Sequence, residues 1–176
     1  MQSVSFTIMP ATLHDIAAIV SHRRSMFSAM GYSDEAALDA MSSAFEPWLR
    51  RTMLAGDYLA WFAITQDQAV AAGLGLWLMD WPPHMIGSGA RRGNILNIFV
   101  QPENRRQGIA CALMRAALDW CRANGIDHVM LHSSVDGRHL YESLGFTPTN
   151  EMRLLLLVDT PGDTPSDALS DKPQGA

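Results

Sequence analysis

The sequence predicts a mixed α/β fold, a sheet covered by helices on both faces, and three observations carry that expectation. Segments with apolar residues at helical spacing interleave with short β-branched and aromatic runs. Their order is strand, helix, helix, three strands, helix, strand, helix, two strands. Residues 152–159 are almost unbroken aliphatic sequence, which has to be covered on both faces or lie centrally in a sheet. With 176 residues, 48% hydrophobic and 18% charged, the chain also has the length and balance for a full two-layer core.

Residues 5–9 form a first predicted strand ended by Pro10. Thr12-Leu13-His14-Asp15 has the layout of a capping box, with Asp in place of Glu, and Leu13, Ile16, Ala17, Ile19 and Val20 follow at helical spacing. Gly31 stops that helix. Ser33 is the expected cap of the next, with Asp34 and Glu35 in the first turn, where the helix dipole favours acids. Pro47 clashes with a continuous helix, so two segments are expected, 34–45 and 47–54.

Residues 58–65 and 69–79 read as a hairpin joined by Gln66-Asp67-Gln68, with Gly73 and Gly75 weakening the second strand or marking a bulge. Residues 80–93 read as a long loop holding Trp81, Pro82, Pro83 and three glycines. The next strand, 94–100, is buried and central. Ile109, Leu113, Ala116, Ala117 and Trp120 then share one helical face, ended by Asn124-Gly125. A short buried strand (127–132), a two-turn helix (137–144), a strand from Phe146 and the aliphatic run 152–159 complete the expected domain, 1–159. Residues 160–176 are rich in Pro, Asp, Ser, Gly and Ala, and are expected to be a disordered tail.

The net charge of −5 argues against a nucleic-acid surface, which needs cations to neutralise phosphates. No apolar run approaches the roughly 20 residues of a membrane span. The stretch MQSVSFTIMP lacks a signal peptide's basic start and long apolar core. Cys111 and Cys121 lie ten residues apart on one predicted helix, about 15 Å along its axis, too far for a disulfide. They suggest core thiols in a reducing compartment, and no Cys/His ligand spacing points to a metal. A cytoplasmic protein without a membrane, nucleic-acid or metal partner is the expectation.

The chain is organised around 94–113, where the central strand turns into a helix through Arg105, Arg106, Gln107, Gly108 and Ala110. A helix start leaves about four amides unpaired and carries about half a positive charge, so it receives phosphate oxygens well. Neither G-x-x-x-x-G-K-[ST] nor G-x-G-x-x-G is present.

The run Arg105-Arg106-Gln107-Gly108-Ile109-Ala110 resembles the [RQ]-x-x-G-x-[GA] pyrophosphate loop of the GCN5-related N-acetyltransferase (GNAT) superfamily. Leu140-Tyr141-Glu142-Ser143-Leu144-Gly145-Phe146 looks like that superfamily's LYExxGF signature. Two motifs in order make the resemblance strong over about 94–157; the N-terminal half agrees only in element order. The resemblance implies a six- to seven-stranded, mostly antiparallel sheet whose fourth and fifth strands are parallel and splay apart to admit acetyl-CoA. It further implies transfer of the acetyl group to a primary amine of a small molecule or peptide, by direct attack in a ternary complex.

It implies roles as well. The amides of Arg105, Arg106, Gln107, Gly108, Ile109 and Ala110 would hold the pyrophosphate. Backbone groups of Ile98, Phe99 and Val100 would pair with the pantetheine arm, and an amide there would stabilise the thioester oxygen. Tyr141 would protonate the departing thiolate. Ser134 stands where relatives often have a cofactor-contacting Asn, and Gly137 where Ala is common.

The general base is open. Many relatives carry a glutamate on the central strand, where this sequence has Asn97 and no acid from 94 to 100. A water relay, Glu35, Glu46, His84 and His132 all remain. Arg23 and Arg24 offer a grip on a substrate carboxylate or phosphate or a solvated helix face; Trp77 and Trp81 offer a cation–π wall or core packing. Two other readings stand beside the transferase: a non-catalytic acyl-CoA sensor, and a transferase for a longer acyl group or an oxygen acceptor. Relatives often pair, and the aliphatic run 154–158 is a possible homodimer contact.

Overall fold

The sheet is laid down in chain order. The computed structural model describes residues 5–87, 89–134 and 137–154. Among them five strands, β1 (Phe6–Pro10), β2 (Tyr58–Thr65), β3 (Val70–Asp80), β4 (Arg91–Val100) and β5 (Val129–Leu131), lie side by side in that order. The first four are antiparallel, and β5 runs parallel to β4.

This corrects the expected six to seven strands. Residues 146–149 form no strand, because after the helix the chain continues as irregular, mostly exposed backbone around Pro148. Of the aliphatic run 152–159, Met152 to Leu154 are exposed and not extended into a ladder, and the rest lies outside the described residues, as does the expected tail.

β3 is central because its residues are small and apolar. Ala71 through Leu76 are all buried, as a strand covered on both faces must be. Its glycines make room: a Cβ at Gly73 would meet His22 Nδ1 at 3.0 Å and Phe62 at 3.1 Å, and one at Gly75 would overlap the Tyr58 hydroxyl. The ladder is irregular beside them, but the extra residue belongs to β4. Gly73 pairs with Phe99 and Gly75 with Leu96, so three steps on β4 match two on β3.

On one face lies α3 (Ile109–Ala123), which buries Ile109, Leu113, Met114, Ala117 and Cys121 against the strands. The opposite face is covered by α1 (Ile16–Ala29) and α2 (Glu35–Leu54), which enclose Phe45, Leu49, Tyr58, Ala60 and Phe62. The capping box forms as expected: Thr12 Oγ1 accepts from the His14 amide (3.3 Å), and Asp15 Oδ2 accepts from the Thr12 amide (2.7 Å). It opens a single 3₁₀ turn that leads into α1. The cap of α2 is Asp34, whose carboxylate accepts from the Ala37 amide at 3.1 Å, and not Ser33.

Pro47 does not divide α2, which is one continuous helix. The proline is exposed, so the Ser43 carbonyl it leaves without a partner faces water. Leu38, Phe45, Leu49 and Thr52 meanwhile hold both halves down on one buried stripe.

The expected loop 80–93 is shorter. β3 runs through Asp80 and β4 starts at Arg91, and Arg91 ties the strand ends by pairing with Asp57 (2.5 Å). The Trp81 amide donates to the Ala90 carbonyl (2.8 Å), and the Gly89 amide to Asp127 Oδ2 (3.2 Å). The last helix, α4 (Arg138–Ser143), is shorter than expected. No described helix is long and apolar enough to cross a membrane.

Candidate acyl-transfer site

β4 and β5 separate. They pair only at Gly93↔Val129, Asn94↔Met130 and Ile95↔Leu131, after which β4 continues to Val100 paired with β3 alone. Ile98, Phe99 and Val100 therefore present one strand edge with no described ladder partner, the parallel, splayed arrangement that the resemblance implied.

The bulge sits at the same place. Asn97 has φ 58°, a left-handed conformation that Asn tolerates better than most residues. It breaks the alternation of side chains. Leu96 packs toward the α1–α2 face, and Asn97 bonds there as well, to Arg23 and Tyr58. Ile98 and Val100 then pack on the α3 side.

At its far end β4 passes through a 3₁₀ turn, Pro102–Asn104, into the junction. Arg106 (φ 59°) and Gly108 (φ 78°) both take left-handed backbone and swing the chain into α3. Gly108 is the N-cap residue, and no side chain caps the helix. A Cβ at Gly108 would meet nothing within 4 Å, so its surroundings are open.

Helix amides facing open space at the end of a strand with one unpaired edge fit a bound pyrophosphate followed by an extended arm. The junction is tied down by its own side chains: Arg105 Nε donates to the Val100 carbonyl (3.2 Å), and Gln107 Nε2 donates to the Glu103 carbonyl (3.4 Å). The amide of Arg105 already donates to the Pro102 carbonyl at 3.4 Å. Ile109 points into the core.

Tyr141 lies on the α3 side, buried with 7% exposure and edge-on to Phe146 at 6.2 Å. Its hydroxyl makes no hydrogen bond to a described residue, and burial raises its pKa above the ordinary 10.0. A cavity of about 180 Å³ opens beside it, bounded by Val129, Leu131, Ser133 and Phe146. Gly137 is needed for this packing, because a Cβ there would meet the Tyr141 ring at 2.7 Å. Ser134 is exposed, and its Oγ accepts from the Gly137 amide at 3.1 Å.

The candidate bases do not converge. Glu35 pairs with Arg24 (2.6 Å) and Glu46 with Arg50 (3.2 Å), both acids on the exposed side of α2. His132 is exposed just beyond β5, and His84 accepts from the Ile86 amide (3.1 Å) in the 81–90 loop. Both tryptophans are engaged by their own chain: Trp77 packs against Trp48 at 5.5 Å, and Trp81 covers the Arg92 guanidinium at 4.1 Å. Cys111 and Cys121 are free, and burial pushes the Cys121 thiol up to about 11.

Sequence reasoning missed a buried polar network under α1. Arg23 donates to Asn97 Oδ1 (2.5 Å), and Asn97 Nδ2 donates to the Tyr58 hydroxyl (2.9 Å). Tyr58 is sealed, with its phenol pushed up to about 12 by desolvation. Beside them His22 stands edge-on to Phe62 and Phe99, with neither ring nitrogen hydrogen-bonded and its pKa lowered by burial. A signal existed in Asn97 itself, a polar turn-former in the middle of an apolar strand.

The acetyltransferase (GNAT) family has a sequence model that matches residues 17–146. A GCN5-related N-acetyltransferase of Ralstonia eutropha JMP134 superposes with a TM-score of 0.80 at 34% identity, covering 86% of this chain and 99% of that one. A predicted acetyltransferase of Clostridium acetobutylicum, solved with acetyl-CoA, has the same fold: TM-score 0.77, 23% identity, 86% of this chain and 96% of that one. Human N-acetyltransferase 8 is 38% identical over 64 residues, 35% of this chain and 28% of that protein. The match to human N-acetyltransferase 8B, at 30% identity, covers 50% of this chain and 45% of that protein. The chain thus spans less than half the length of these two curated relatives.

Proposed function

The chain belongs to the acetyltransferase (GNAT) family, and from that premise we propose that it transfers the acetyl group of acetyl-CoA to a primary amine of a small molecule or peptide by direct attack in a ternary complex. The observation that carries this reading is the unpaired edge of β4, which leads from the Asn97 bulge straight to the open, uncapped start of α3 at Gly108.

When bound, acetyl-CoA supplies an activated acyl carbon. The chain's own residues would do the rest. Amides of Arg106, Gln107, Gly108, Ile109 and Ala110 hold the pyrophosphate, and Arg105 braces the turn against Val100. The Ile98–Val100 edge aligns the arm, and one of its amides points a donor at the oxygen where charge develops. The Tyr141 phenol is protonated at neutral pH as any ordinary tyrosine is, and burial only raises its pKa further, so the hydroxyl has a proton to give to the leaving thiolate. Ser134, whose exposed hydroxyl accepts from the Gly137 amide, would contact the cofactor. No carboxylate stands on β4, so the amine's proton leaves through a water relay to a base on another element.

A second reading, an acyl-CoA sensor without turnover, is motivated by Asn97 standing where many relatives have an acid. Thiol release from acetyl-CoA with a panel of amines separates the two. Turnover with any amine supports transfer, whereas saturable calorimetric binding of acetyl-CoA without release from any amine supports the sensor. Binding that survives with the adenosine bisphosphate fragment of CoA places the anchor at the start of α3; binding that vanishes with the fragment overturns that placement.

A further inference from the structure

Two adjacent arginines on α1 end in opposite surroundings. Arg24 points outward and is matched by two acids, Glu35 at 2.6 Å and Asp39 at 2.8 Å. Arg23 turns inward onto the β4 bulge, and among the described residues no carboxylate pairs with it.

Among the described residues, the groups against the Arg23 guanidinium are neutral. It bonds Asn97 Oδ1 and lies over the rings of Phe27 (4.9 Å) and Phe45 (4.6 Å), while its Nε is buried with no hydrogen-bond partner. Asn97 offers the guanidinium only its neutral Oδ1, because its amide nitrogen is itself a donor and bonds the Tyr58 hydroxyl. A half-buried cation among aromatic rings, with donors to spare and no counter-charge, is an incomplete site. Guanidinium donors in a fixed fork fit the oxygens of a carboxylate or phosphate.

The position gives this a use. Asn97 lies two residues past Ile95, the last β4 residue that pairs with β5. Arg23 therefore stands at the opening between these strands on the α1–α2 face. The start of α3 and Tyr141 belong to the other side. An acceptor meeting the acyl carbon from opposite the cofactor would pass Arg23.

Resting on the acetyltransferase reading, we infer that Arg23 is a specificity residue that binds an oxyanion, carboxylate or phosphate, carried by the acceptor near its amine. Asn97 and Tyr58 position it.

The test uses matched acceptors with the full chain: β-alanine against propylamine, and O-phosphoethanolamine against ethanolamine, read as kcat/KM by thiol release. The native protein should favour an anionic member by at least about tenfold, and the pair showing it tells carboxylate from phosphate. Arg23→Gln should bring the ratio to about one, mainly through the acceptor's KM and with the KM for acetyl-CoA unchanged. Asn97→Asp, which places a carboxylate against Arg23, should also erase the preference and serves if Arg23→Gln does not fold. A ratio near one in the native protein, or one that survives both substitutions, overturns the inference.

A separate titration with acetate and inorganic phosphate, run with CoA present to fill the start of α3, keeps the two readings apart. Arg23-dependent anion binding without turnover sinks the transferase reading and leaves the anion site standing; turnover without charge preference does the reverse.

Discussion

The two faces of the sheet are built on different principles. The α3 face is a dry apolar layer in which Leu74, Leu76, Ile95, Ile109, Leu113 and Met114, flanked by Trp61 and Trp120, exclude charged side chains. The α1–α2 face has aromatic walls, Phe45, Trp48, Tyr58 and Phe62, around His22, Arg23 and Asn97. Buried polar groups are costly unless satisfied, and several here are not. The first face is built to hold the sheet and aim one helix start; the second retains chemistry that packing alone would not select.

The largest test of that contrast is Leu113→Ala, on the dry face. Leu113 is fully buried, and its truncation should cost about 3 kcal/mol, read from urea unfolding. A loss under about 1 kcal/mol would mean that this face is not close-packed. On the polar face, Asn97→Ala removes the partner of both Arg23 and Tyr58. It should cost about 2 kcal/mol by leaving the Arg23 donor and the Tyr58 acceptor unpaired; an unchanged midpoint would show that water already serves them.

Tyr141 is the polar exception on the dry face. Tyr141→Phe should lower kcat at least about tenfold, or about 1.4 kcal/mol of barrier, with stability and acetyl-CoA affinity little changed. An unchanged kcat would return Tyr141 to the packing layer.

Gly108 and Gly145 sharpen the comparison further, since both have positive φ (78° and 93°) and open space around a would-be Cβ. Gly→Ala at either should cost about 1 kcal/mol. Calorimetry should show weaker acetyl-CoA binding only for Gly108→Ala; equal effects would detach the α3 start from the cofactor.

The smallest effect is expected at His22. Burial holds its pKa below the ordinary 6.5, so the unfolded chain takes up that proton first as pH falls. The stability it contributes is complete above about pH 6.5 and is lost as pH drops through the folded value. His22→Leu should flatten this acid-side decline in melting temperature, and an identical decline would assign it to other groups.

Local rules made much of this legible. The Thr12–Asp15 capping box, the stop at Gly31, the 58–79 hairpin and the apolar face of α3 depend on residues within a turn or two of each other, and the sequence states them directly. The turn at Gly108 was equally readable, because a glycine at a helix start constrains the backbone whatever surrounds it. Pro47 shows the limit. Its local clash predicted a break, yet burial of Leu38, Phe45 and Leu49 on one stripe keeps α2 whole.

Tertiary structure alone decided which arginine of the Arg23–Arg24 pair faces inward, that β5 leaves β4 after Ile95, and that Asn97 and Leu96 share a face. Each depends on residues distant in sequence: Asn97 lies 74 positions from Arg23 and 39 from Tyr58. No local preference encodes a bond across that separation. It exists only once α1 has been laid over the bulge in β4, where burial removes the water that each group would otherwise have bonded.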